Sequence, residues 1–113
     1  MSNVFYMPAP NYSGVWENSA SAALPEFKEG TSIFKFVQED GAKTAKFSVV
    51  DNPKVHRAVF EGLRKAWTSA VCEFEELPPA NAVSVVMDRD GVAALPADGN
   101  WKMAAKAIIS YTV

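Results

Sequence analysis

Between Asn52 and Glu76 the apolar positions recur at the interval of an α-helix. At 100° per residue, Val55, Val59, Phe60, Leu63, Ala66, Trp67, Ala70, Val71 and Phe74 share one arc roughly 160° wide. That pattern predicts one long amphipathic helix lying on an apolar surface, most simply a sheet. Asn52 is a cap residue and Pro53 suits the first helical position. Pro78 and Pro79 end the segment. Trp67, the largest residue of the arc, is expected deep between the helix and the sheet.

On either side of this segment the period changes to two. Residues 32–38 and 44–50 flank Glu39-Asp40-Gly41-Ala42-Lys43 and read as a hairpin, with Phe34, Phe36, Phe47 and Val49 inward and the lysines outward. Residues 82–88 are β-branched and read as a strand. Arg89-Asp90-Gly91 leads into a short run from Val92 to Leu95, and Pro96-Ala97-Asp98-Gly99-Asn100 is a turn cluster. From Trp101 to Val113 the alternation is continuous, with Trp101, Met103, Ala105, Ala107, Ile109 and Tyr111 on one side and Lys102 and Lys106 on the other.

Residues 1–31 break both patterns. They hold Phe5, Tyr6, Tyr12, Trp16 and Phe27 with few charges, the reverse of a flexible tail. Val4 to Met7 suits a short strand and Trp16 to Leu24 a weak helix. The segment reads as an arm that covers its own core or packs on a partner, with Phe5, Tyr6, Tyr12 and Trp16 as the partner-binding candidates. Residues 32–113 read as a single α+β domain, a mostly antiparallel sheet with one helix in the order ββαβ(β)β. If Val4–Met7 is a strand, the order matches a five-stranded oligonucleotide-binding (OB) barrel.

Composition narrows the function without naming it. A net charge of −2 argues against generic electrostatic attachment to nucleic acid or anionic membrane, though not against a local basic patch. One cysteine, Cys72, forbids an internal disulfide and suits a reducing compartment. With no 18-residue apolar run and no signal-like start, the expectation is a cytoplasmic protein.

Candidate chemistry is sparse. Lys54 and Arg57 follow the Asn52 cap, where free N–H groups suit a phosphate or carboxylate, although Pro53 removes one donor. The plainer reading of the helix charges is an Arg57–Glu61–Lys65 ladder of i,i+4 ion pairs on a solvated face. Glu73, Glu75 and Glu76 at the far end would oppose the helix dipole. Phe34, Phe36 and Phe47 interleaved with Lys35, Lys43 and Lys46 give a second anion-binding candidate, a surface that stacks bases. Alternation, however, puts the aromatics and Lys35 on opposite faces, as core phenylalanines with solvated lysines would be. His56 falls on the apolar arc as a core imidazole with one hydrogen bond, and Cys72 on the polar arc as an unreactive thiol. One histidine and one cysteine cannot seed a zinc site. Asp88-Arg89-Asp90-Gly91 lacks the glycine and glutamate spacing of a calcium loop. No metal, cofactor or catalytic set is expected.

The sequence therefore points to a small non-enzymatic protein-interaction domain. Self-association is expected through a poorly protected C-terminal strand or the aromatic arm. The alternative is a binder of single-stranded nucleic acid, or of a nucleotide or phosphate, through the helix start and the first hairpin.

Overall fold

A computed structural model describes residues 2–113. Strand β1 (Ser2–Met7) and a single helical turn, α1 (Ser19–Ala22), precede the hairpin of β2 (Phe34–Glu39) and β3 (Thr44–Val49). Helices α2 (Pro53–Arg64) and α3 (Trp67–Val71) follow, then β4 (Cys72–Phe74), β5 (Ser84–Arg89), β6 (Gly91–Ala94), β7 (Lys102–Ala105) and β8 (Ala107–Thr112). One sheet has the order β1-β2-β3-β6-β7 and a smaller one the order β4-β8-β5. Only β4 and β8 run parallel. The chain is thus α+β and mostly antiparallel, with a longer element order than ββαβ(β)β. Among the described residues no helix is long and apolar enough to cross a membrane.

Val4–Met7 does lie in a strand, but the sheets do not close into a barrel. The outer edge of β1 is met by a bridge from Tyr6 to Leu24, and that of β7 by a bridge from Val15 to Lys102. Those contacts occupy the edges that closure would have to join.

The two sheets are continuous through a pair of bent strands. Residues 84–94 and 102–112 run side by side, each interrupted once, at Asp90 and at Lys106. On one side of the interruptions β5 pairs with β8, and on the other β6 pairs with β7. Register shifts between Met87 and Arg89 and between Val92 and Ala93 mark bulges, which bend a strand and sharpen its twist. Gly91 sits at the bend because the Phe47 ring occupies the space a Cβ would need. One consequence is that Ala105 is exposed, against the simple alternation.

The single long helix is not formed. Asn52 caps α2 as expected, its Oδ1 accepting from the Lys54 N–H at 2.9 Å and the Val55 N–H at 3.4 Å. The helix stops after Arg64, however, and Ala66 takes a left-handed conformation with φ 68°. The chain then folds back so that the Trp67 ring and the Thr68 hydroxyl lie directly over Gly62. Thr68 Oγ1 donates to the Val59 carbonyl at 2.7 Å, tying the two helices together. Trp67 is consequently half-buried, correcting the expectation of a deep core residue. Cys72 begins a strand beside Ala107 and is buried, correcting its place on a polar helix face. Glu73, Glu75 and Glu76 leave the helix altogether. Its last turn carries Arg64 instead, which suits the dipole.

The core centres on Trp16, 1% exposed, with Phe34, Phe36 and Phe47 around it. Three further bonds sew the Trp16 segment to the rest of the fold. The Trp16 N–H donates to the Trp101 carbonyl at 2.8 Å, the Trp101 N–H donates to Ser19 Oγ at 2.9 Å, and Trp16 Nε1 donates to the Pro8 carbonyl at 2.9 Å. Phe5 and Met7 are buried in the same cluster. The aromatic arm is therefore spent largely on its own core.

Candidate functional site

Alternation in the five-stranded sheet decides which residues are available outside. Phe34, Phe36, Phe47 and Val49 face the core, as the hairpin pattern predicts, so these phenylalanines are not a base-stacking surface. The same alternation turns Lys35 and Lys46 outward, both exposed. Lys35 stands opposite Ser48 and Lys46 opposite Val37, so the two lysines are diagonal neighbours on one face, about 7–8 Å apart at the backbone. Lys46 stands opposite Val92 on its other side. Lys102 stands opposite Ala94, one outward position further along β6. Two strand spacings and one two-residue step put it about 12 Å from Lys46.

Three lysines thus descend diagonally across β2, β3 and β7. Among the described residues none has a carboxylate at ion-pair distance, the pairs formed being Lys54–Glu29 and His56–Asp51. Around them the face carries uncharged residues such as Val4, Val37, Thr44 and Val92, with Glu39 at one end. Asp40 and Asp90 lie at its margins, in the hairpin loop and the strand bend. Three lysines against one glutamate give the face a charge of +2, where the whole chain carries −2. Lys102 was visible in the sequence as an outward residue; its alignment with Lys35 and Lys46 comes only from the pairing of β6 with β7.

The other anion candidate fares differently. The Asn52 side chain already accepts from two of the N–H groups at the start of α2, and Lys54 Nζ pairs with the Glu29 carboxylate, which that contact holds below its ordinary pKa. Arg57 is exposed on α2 and does not join Lys35 and Lys46. The Arg57–Glu61–Lys65 ladder is not made at ion-pair distance among the described residues. Beside α2 run two shallow hollows of about 380 and 330 Å³ that share Gly30, Ile33 and Ala58. Their rim mixes Glu29, Lys54, Glu61 and Lys65, with no converging set of one sign.

The proposed partner-binding residues divide. Phe5 and Trp16 are buried inside the chain. Tyr12 is 78% exposed, at the tip of a turn whose Gly14 carbonyl accepts from the Met103 N–H of β7. Tyr6 is half-buried on the outer face of β1, directly opposite Lys35.

No reactive constellation accompanies these features among the described residues. His56 is buried, and its Nδ1 accepts from the Val85 N–H at 3.3 Å, fastening α2 to β5. Burial pushes its pKa down, opposed by Asp51 and the Val50 backbone. The Cys72 thiol is pushed up to about 12 by burial, so it carries no thiolate near neutral pH. Among the described residues no group of three histidine, cysteine, aspartate or glutamate side chains gathers as a metal site would require. Comparison with family models, curated proteins and solved structures gives no match.

Proposed function

We propose that this chain is a non-enzymatic binding domain whose five-stranded sheet takes a single strand of nucleic acid on its outer face. The observation that carries the reading is the diagonal of Lys35, Lys46 and Lys102, exposed and without a carboxylate partner among the described residues, on a face more positive than the chain as a whole. An extended polyanion crossing that diagonal meets one ammonium on each of three strands. Between the lysines the face is uncharged, and α2 and α3 pack their buried residues into the core behind it rather than projecting from it. Its length, about 20 Å from Lys35 to Lys102 by strand spacing, suits a footprint on the order of four nucleotides.

Self-association has less behind it than the sequence implied. Strand β8 is the central strand of its sheet, paired with β5 over Ile108–Thr112 and with the short β4 over Ala107–Ile109. Among the described strands only its last residues, beyond Ile109, are therefore open on the β4 side. Exposed Leu77, Val83 and Val113 remain at the end of that sheet.

The test is fluorescence anisotropy of a labelled twelve-nucleotide oligothymidylate at two salt concentrations. Three phosphate contacts predict an affinity that falls roughly 18-fold between 50 and 200 mM salt. Lys35→Ala, Lys46→Ala and Lys102→Ala should each flatten that dependence, and the triple variant should lose binding while melting as the parent does. Equal binding by the triple variant, or no binding by the parent at 50 mM salt, overturns the reading.

A further inference from the structure

Lysines alone attract any polyanion; what distinguishes a nucleic acid is its bases. The only aromatic side chain that alternation places on the same face as the diagonal, among the described strand residues, is Tyr6. It stands directly across from Lys35 in the β1–β2 register. Its position is fixed twice over. The backbone N–H and carbonyl of Tyr6 both bond Leu24, at 2.8 and 3.0 Å, on the side of β1 away from β2. Its ring meets that of Phe27 edge-on, with centroids 6.2 Å apart and planes at 80°. No hydrogen bond within the described residues engages its hydroxyl, and burial of the side chain is only partial.

We infer that Tyr6 is the base-stacking platform of this face and that it makes the ligand a single-stranded nucleic acid rather than any linear polyanion. The inference rests on the lysine reading above and adds to it. A strand whose phosphates follow Lys102, Lys46 and Lys35 arrives at β1 beside Tyr6. There a base turned toward the sheet finds an aromatic ring already held in place. Little side-chain entropy remains to be lost on binding, because Phe27 and Leu24 have fixed the residue beforehand. Val4 and Val37, paired beside it on the same face, offer apolar surface to a neighbouring base or sugar. Stacking of this kind tolerates any base, since each has a π-face. A duplex, whose bases are stacked inside, gives Tyr6 nothing to hold.

The test compares the parent, Tyr6→Leu and Tyr6→Phe against three probes: the oligothymidylate, a duplex of equal length, and inorganic polyphosphate. Leucine keeps apolar bulk at a strand position, and thermal melting verifies that the fold survives. Tyr6→Leu should bind the oligothymidylate about tenfold more weakly with an unchanged salt slope, and its affinity for polyphosphate should equal that of the parent. Tyr6→Phe should bind as the parent does. The parent should prefer the single strand to the duplex, and Tyr6→Leu should lose that preference. If lysine variants weaken oligothymidylate binding and Tyr6→Leu does not, Tyr6 is no platform and the lysine face stands. Equal affinity of the parent for polyphosphate and oligothymidylate also overturns the role given to Tyr6. Indifference to the lysines removes both readings together.

Discussion

Trp16 and Trp67 are the same residue type with opposite places in this fold. Trp16 is enclosed by three phenylalanine rings and its indole N–H is satisfied by Pro8. Trp16→Ala should therefore cost about 3–5 kcal/mol, enough to unfold most small domains. Trp67→Ala, from a half-buried site over Gly62, should cost clearly less. Urea denaturation of both variants checks this, and equal losses would refute the assignment of the core. His56 gives a pH dependence with a definite sign. Burial lowers its pKa in the folded state, so below its ordinary value of 6.5 the unfolded chain takes up a proton that the folded chain refuses. Stability should accordingly fall as pH drops through about 6.5, before most carboxylates titrate, and His56→Gln should remove that part of the slope. Cys72 is testable as a thiol. Ellman's reagent should react with it slowly in the native protein and promptly in denaturant, because burial raises its pKa to about 12.

At the scale of the element, the break between α2 and α3 is the instructive case. Nothing local ends the helix at Arg64: Lys65 and Ala66 are good helix formers, and the apolar arc continues to Phe74. The break is held by packing across it, the Thr68 hydroxyl on the Val59 carbonyl, and by a partner remote in sequence, Ala107, which pairs with Cys72. Two substitutions follow. Gly62→Ala would ordinarily stabilise a helix by about 0.5–1 kcal/mol. Here its Cβ overlaps the Trp67 ring and Thr68, so the variant should lose stability on the order of 1–3 kcal/mol. Ala66→Gly should do the reverse, gaining up to about 1 kcal/mol because glycine accepts the left-handed conformation freely. Opposite shifts in denaturation midpoint are the expected result; shifts in the swapped direction would mean that the helix continues through Ala66.

For the whole molecule, the question set by the sequence was whether the aromatic arm belongs to this chain or to a neighbour. Strand β1 pairs along its length with β2, and Phe5, Met7 and Trp16 belong to the one core cluster. A chain lacking residues 1–25 should therefore fail to fold, seen as loss of near-ultraviolet circular dichroism and of a cooperative melt. A folded, cooperatively melting truncation would show that the arm is dispensable. The lysine face also exists only at this scale. It is made by residues drawn from β2, β3 and β7, and its charge is invisible in a chain whose total is −2.

What the sequence determined by itself is whatever depends on neighbours along the chain. The alternation of Phe34, Lys35 and Phe36 set an inward and an outward side for the hairpin, and Asp40-Gly41 set its turn. Asn52-Pro53 started α2, and the aromatics of residues 1–31 marked a segment that would not remain in water. Tertiary structure decided what depends on distant partners. It stopped the helix at Arg64 and moved Cys72 from a helix face into a strand. It placed β8 between two neighbours instead of at an edge, and brought Lys102 into line with Lys35 and Lys46. The physical reason is that capping, turn formation and periodicity act within a few residues. Edge protection, helix termination by packing and the summed charge of a sheet face depend on contacts that the folded chain alone supplies.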